Sequence, residues 1–177
     1  RSPEGVSKGK KACNGTVSTL AMGSLPCTAE SPWQKINCAK SPETAAKVAQ
    51  KKEDWEEMME GWLKILETNH QNHGYVLFEI PTGCGYWKHP LVIGMCQKYN
   101  LVRVNLHGCM YGLVSTAKAT EGVPIKKPWT FATNSPYLQY LLPRLCTGGH
   151  QHTPCQGSDT KRTEGYTDEL VATIHRA

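Results

Sequence analysis

The sequence has no apolar run close to the roughly 20 residues that a membrane-spanning helix needs. Its first eleven residues are polar and basic with no apolar segment behind them, so they do not read as a signal peptide. Cysteine is too sparse for a disulfide scaffold, with 8 in 177 residues. Without a secretory signal these thiols are expected to be reduced or bound to metal, as in an intracellular protein. The alternative is a secreted protein with four disulfides. Acidic excess is missing too: the net charge is +5, a mild basic balance compatible with a nucleic-acid partner. The clusters Lys8-Gly9-Lys10-Lys11, Lys126-Lys127 and Lys161-Arg162 read first as solvated surface. Internal repeats and low-complexity tracts are absent.

What is present suits a single folded domain, long enough to bury a core. Residues 1–15 read as a flexible basic arm, and 16–177 as one α/β domain. A strand is expected over 16–25. Ser41-Pro42-Glu43 then starts a helix, with Ser at the N-cap, Pro at the first helical position and an acid in the first turn. The helix is predicted over 42–69, and Ala45, Val48, Ala49, Trp55, Met58, Met59, Trp62, Ile65 and Leu66 form its core-facing stripe. Tyr75-Val76-Leu77-Phe78-Glu79-Ile80 is short, apolar and continuous, as a central parallel strand should be. A helix follows over 90–99. Strands are predicted over 101–106 and 109–114, joined as a hairpin through His107-Gly108, and again over 129–133. A short helix to residue 142 and an amphipathic helix over 167–176 close the chain. Strands alternating with helices predict an α/β layered fold.

Two predicted strands end in reactive residues. One delivers Cys27 after Pro26, and the other delivers Glu79. If the two strands are parallel neighbours, thiol and carboxylate face one cleft, because ligands bind beyond the carboxyl ends of such strands. A carboxylate at the end of an apolar strand is costly to bury unless it is paired or protonated. The plain alternative is a capping or ion-pair role for Glu79 and a merely buried Cys27.

A second constellation has metal-ligand chemistry. Cys146, His150, His152 and Cys155 put four soft or borderline ligands within ten residues of a Gly-rich loop, residues 146–165, and zinc favours such tetrahedral Cys and His sets. His89 and Cys84 are alternative ligands. The plain alternative is a polar loop with one or two buried thiols. Gly83-Cys84-Gly85-Tyr86-Trp87 lacks the second cysteine of the cysteine-protease signature.

The order of several short motifs resembles the DNA cytosine-5 methyltransferases. They are Pro26-Cys27, Phe78-Glu79-Ile80-Pro81, Tyr111-Gly112 and Gly122-Val123-Pro124-Ile125-Lys126-Lys127-Pro128-Trp129. The tail, with Cys146, His150-Gln151-His152, Gly157-Ser158 and Tyr166-Thr167-Asp168-Glu169-Leu170, is similar to the end of small viral methyltransferase-like proteins. Related stretches also look like parts of mobile-element polyproteins. The resemblance implies a Rossmann-like layered sheet of about five strands with flanking helices. It implies Cys27 as the nucleophile, Glu79 as the group that holds the cytosine ring, and Lys126 or Lys127 where the family has an arginine. It further implies S-adenosylmethionine as cofactor, nucleic acid as partner, and an intracellular protein able to act in the nucleus.

Three departures qualify it. The family's glycine-rich cofactor loop lies upstream of the Pro-Cys strand and has no counterpart here. Asn does not follow Glu79. Lysine and arginine are not interchangeable at a shaped site. The expectation is therefore a domain truncated at its N-terminal βα unit. It would be a partial or degenerate methyltransferase, or else a non-catalytic nucleic-acid-binding or zinc-stabilised structural subunit of a larger assembly.

Overall fold

A computed structural model describes residues 2–15 and 18–176 of the chain. Arg1, Thr16 and Val17, which open the expected arm and first strand, lie outside the described residues, as does Ala177. The elements in order are α1 (Pro3–Cys13), β1 (Leu20–Ser24), α2 (Gln34–Cys38), α3 (Pro42–Gln71), β2 (Tyr75–Pro81), α4 (Pro90–Lys98), β3 (Val102–His107), β4 (Pro128–Thr133), α5 (Pro136–Leu141), α6 (Ser158–Arg162) and α7 (Asp168–His175). Single 3-10 turns occupy Thr28–Glu30, Gly85–Lys88 and Gly108–Tyr111. The fold is α/β, with strand order β1-β2-β4-β3. Four strands stand where about five were expected, a layout compatible with a truncated Rossmann-like sheet.

The missing strand is 109–114. Its apolar character comes from a compact 3-10 turn, Gly108–Tyr111, closed by Gly112 at a φ of 73°. Only glycine adopts that left-handed conformation without strain. The expected hairpin through His107-Gly108 is therefore absent.

The single domain expected over 16–177 resolves into two compact units. One comprises Arg1–Arg103 with Phe131–Ser135, and the other Val104–Thr130 with Pro136–Ala177. In the first unit, residues 3–13 are helix α1 rather than a flexible arm. Ser2 Oγ accepts the Gly5 N–H at 3.1 Å, Pro3 takes the first turn, and Cys13 is buried. Gly9 lets α1 approach α3, since a Cβ there would stand 2.5 Å from Ile65. Helix α3 is the backbone of this unit. Ser41 Oγ accepts from the Thr44 N–H at 3.1 Å, and Val48, Trp55, Met59 and Leu66 are buried along its inner stripe.

The end of α3 fixes the start of the sheet. Asn69 is fully buried. Its Oδ1 accepts the Thr19 hydroxyl at 2.6 Å, and its Nδ2 donates to the Tyr75 carbonyl at 2.9 Å. One side chain thus ties the helix to the first residues of β1 and β2. These strands run parallel in a register that sets Leu20 opposite Tyr75 and Ser24 opposite Glu79. The second unit has its own buried residues, among them Leu106, Tyr111, Ile125, Trp129, Leu138, Leu142 and Leu170. Among the described residues no helix is long and apolar enough to cross a membrane.

Candidate metal centre

In the first unit the parallel pairing brings the two expected strand-end residues to the same edge of the sheet. β1 ends at Ser24, three residues before Cys27, and Ser24 Oγ donates to Glu79 Oε2 at 2.9 Å. Glu79 is 5% exposed. Cys84 joins them, its Sγ 3.9 Å from the Cys27 carbonyl oxygen. Burial pushes the Cys84 thiol up to about 11, and the nearby Cys27, Glu30 and Glu79 add to the shift. Lys52 pairs with Glu30. This edge gathers acidic groups, whereas a cysteine nucleophile needs neighbouring positive charge to become a thiolate.

A pocket of about 210 Å³ opens beside Cys27, lined by Pro26, Thr28, Ala29, Lys51, Asp54 and Met58. The glycines nearby serve packing. A Cβ on Gly23 would meet the Trp62 ring at 2.9 Å, and one on Gly85 would collide with the Glu30 carboxylate. In the turn between β2 and α4, Gly83 and Gly85 face Pro32 and the Glu30 carboxylate. His89, an alternative metal ligand by sequence, instead caps α4, its Nδ1 accepting the Leu91 N–H at 3.3 Å. Its ring packs edge-on against Trp55 and Tyr86.

The second unit holds the site with the clearest geometry. Cys109, Cys146, His150 and His152 offer four ligand atoms that all lie within 4.8 Å of one another. His152 Nε2 is 3.3 Å from Cys109 Sγ and 3.5 Å from Cys146 Sγ. His150 Nε2 is 3.7 Å from Cys146 Sγ. Three of the four ligands expected from sequence are therefore together. Cys155 is not among them, because its thiol is 3.1 Å from the Thr163 hydroxyl. Cys109 takes its place, carried by the 3-10 turn that replaced the predicted strand.

The surroundings hold the four in position. The Cys146 N–H donates to His107 Nδ1 at 2.9 Å, and the His107 N–H donates to the Arg144 carbonyl at 3.0 Å. The end of β3 thus clamps the segment leading into Cys146. A Cβ on Gly108 would stand 2.6 Å from the end of the Leu113 side chain and 3.3 Å from the Ile125 carbonyl oxygen, so the turn before Cys109 is closely packed. Burial, Lys126 and His152 lower the pKa of His107; burial, His150 and Lys126 lower that of His152. Both shifts favour neutral imidazole, the form that binds metal. Burial and the Cys146 thiol raise the Cys109 thiol.

Lys126 belongs to this unit, exposed and close to His107 and His152. The resemblance gave it a role beside Cys27; its neighbours in the structure are the imidazoles of the Cys/His cluster. Lys127 donates to the Thr163 carbonyl and sits 5.4 Å from the Trp129 ring centre.

No family model, curated protein or solved structure matches this chain. The Cys/His cluster is thus read from its own geometry, as a set of side chains able to hold a metal ion.

Proposed function

We propose that this protein is a zinc-stabilised, non-catalytic module that binds nucleic acid as part of a larger assembly. The observation that carries the metal is the spacing of the ligand atoms. With Zn–S near 2.3 Å and Zn–N near 2.0–2.1 Å, a tetrahedral angle separates sulfur from nitrogen by about 3.6 Å. Three of the four sulfur–nitrogen separations are 3.3, 3.5 and 3.7 Å, and the fourth lies within 4.8 Å. A complete set of two cysteines and two histidines fills all four positions, as in structural zinc sites; catalytic zinc keeps one position for water. The sequence also has no Asp or Glu between Glu121 and Asp159, so the loop supplying three of the ligands carries no carboxylate to act as a general base. The ion would join Cys109 to a loop 37 residues further on, so that its binding energy would add to the folding of this unit. The net charge of +5 supports the nucleic-acid partner.

The test is metal analysis of the purified chain. One zinc per chain, with loss of folded structure on chelation, is expected. A folded, metal-free protein that ignores added zinc refutes the reading.

A second reading is favoured by one observation, the parallel register that sets Ser24 beside Glu79 and brings the Cys27 loop to the same edge. It is a degenerate cytosine methyltransferase-like cleft, in which Glu79 would hold a base and Cys27 would be the ancestral nucleophile. The acidic surroundings of Cys27 argue for recognition without methyl transfer. A Cys27-dependent covalent adduct with a 5-fluorocytosine oligonucleotide would instead support catalysis, and its absence with cofactor added rules catalysis out.

A further inference from the structure

The extended segment 113–115 of the second unit is paired along one edge. The Ile125 N–H donates to the Leu113 carbonyl and the Ser115 N–H to the Val123 carbonyl, each at 2.9 Å. Val114 stands between them, opposite Pro124 in an antiparallel bridge. When its two neighbours make the cross-strand bonds, the main-chain groups of the middle residue point to the opposite edge. Two residues on, that edge is covered. The Thr116 N–H donates to Asp159 Oδ1 at 3.0 Å, and the Thr116 carbonyl accepts from Arg162 Nη1 at 3.0 Å. At Val114 the edge is open. Among the described residues neither the Val114 N–H nor its carbonyl has a hydrogen-bond partner, and Val114 is 39% exposed. A groove of about 240 Å³ lies here, lined by Val114 and Thr116 from one segment and by Arg162, Gly165 and Tyr166 from another.

The same groove holds a cation. Arg162 Nη1 donates to the Thr116 carbonyl and, at 2.7 Å, to the Thr116 hydroxyl oxygen, which fixes the guanidinium beside the open edge. Arg162 is exposed and makes no ion pair among the described residues. Of the acids nearest in sequence, Asp159 is held by Ser115 and Thr116, Glu169 pairs with Arg144, and Glu164 and Asp168 are exposed. An extended main chain brings both an acceptor for the Val114 N–H and a donor for its carbonyl, the pairing by which a peptide adds to a strand edge. A carboxylate side chain on that peptide answers Arg162. A phosphate backbone or a free carboxylate answers Arg162 and brings no donor for the Val114 carbonyl.

We propose that the groove between residues 112–116 and 162–167 binds an extended acidic peptide of a partner protein, paired through its main chain to Val114 and through a carboxylate to Arg162. The groove would be a surface by which the chain joins the larger assembly proposed above, and the inference rests on that part of the reading.

The test is nuclear magnetic resonance of the full zinc-loaded chain, labelled with nitrogen-15, with metal content measured on the same samples. The probes are acetylated, amidated hexapeptides of alternating valine and threonine with one glutamate walked through every position. At least one should shift the Val114, Thr116 and Arg162 signals. Lysine in place of its glutamate, or Arg162→Gln, should weaken binding at least about fivefold. Because Arg162 also holds Thr116, a second arm leaves the protein untouched: N-methylation at one position of the peptide should weaken binding roughly fivefold, the loss of one main-chain hydrogen bond. The proposal is overturned if no peptide moves Val114, if lysine binds as well as glutamate, or if N-methylation has no effect at any position. It is also overturned if a short oligothymidylate gives the same shifts at equal affinity, or if the Val114 signal moves with protein concentration alone, which would put a second copy of the chain in the groove. A zinc-loaded chain that ignores every peptide leaves the zinc reading standing. A folded, metal-free chain that binds the peptide does the reverse.

Discussion

Asn69→Ala should be among the most damaging single changes in the first unit. The Asn69 side chain accepts the Thr19 hydroxyl at 2.6 Å and donates to the Tyr75 carbonyl at 2.9 Å, and no part of it reaches solvent. Alanine removes both hydrogen bonds, each worth about 0.5–1.5 kcal/mol net, and leaves a carbonyl short of its donor at about 1–3 kcal/mol. The total is roughly 2–6 kcal/mol, a large share of the about 5–15 kcal/mol that holds a typical domain folded. Urea unfolding reads it directly. With a slope of about 2 kcal/mol per molar, the midpoint should fall by roughly 1–3 M. Asn69→Asp should cost at least as much, since it keeps the acceptor for Thr19 but sets a carboxylate against the Tyr75 carbonyl. A loss below about 0.5 kcal/mol for either variant would refute the claim that this side chain sets the start of the β1–β2 pairing.

Asp159 should control acid stability in the second unit. Hydrogen bonds from the Ser115 hydroxyl and the Thr116 N–H hold its carboxyl below the ordinary carboxylate value. A depressed folded pKa contributes stability that is complete above the unfolded value and is lost as pH falls through the folded one. Unfolding followed from pH 6 downward should therefore show an acid limb below about pH 4 that flattens in Asp159→Asn; an identical limb in the variant would count against it. The Cys84 thiol, pushed up from 9.0 to about 11, should alkylate roughly a hundredfold more slowly at pH 8 than an unshifted thiol. Peptide mapping of an iodoacetamide time course checks this, and labelling as fast as that of Cys155 would contradict it.

Elements with strong local signals were legible in the sequence. The Ser41-Pro42-Glu43 start and most of the apolar stripe of α3 stand where expected, though Ala49 is exposed, and so does the Tyr75-to-Ile80 core of β2. The same signal, Ser2-Pro3-Glu4, also opens α1, where Ser2 caps as Ser41 does. It was hidden because α1 has almost no apolar stripe: its one buried residue is Cys13, and Gly9 rather than a large side chain makes its contact with α3. The 109–114 stretch misled because alternation alone cannot distinguish a strand from a tight turn bracketed by Gly108 and Gly112. The same error concealed the fourth metal ligand. Cys146, His150 and His152 were visible as a cluster because they are close in sequence; Cys109 reaches them only through tertiary packing. Cys155 satisfied the spacing and not the space, since Thr163 occupies its thiol.

The identity of the fourth ligand is the sharpest point of the account, and cobalt(II) titration of the chain tests it most directly. Cobalt in a tetrahedral site with two sulfur and two nitrogen ligands gives intense visible bands and thiolate charge transfer. The wild-type chain and Cys155→Ser should both bind one equivalent with that spectrum, and Cys109→Ser should lose it. Loss of the spectrum in Cys155→Ser with retention in Cys109→Ser would contradict the arrangement of Cys109, Cys146, His150 and His152 as the metal centre.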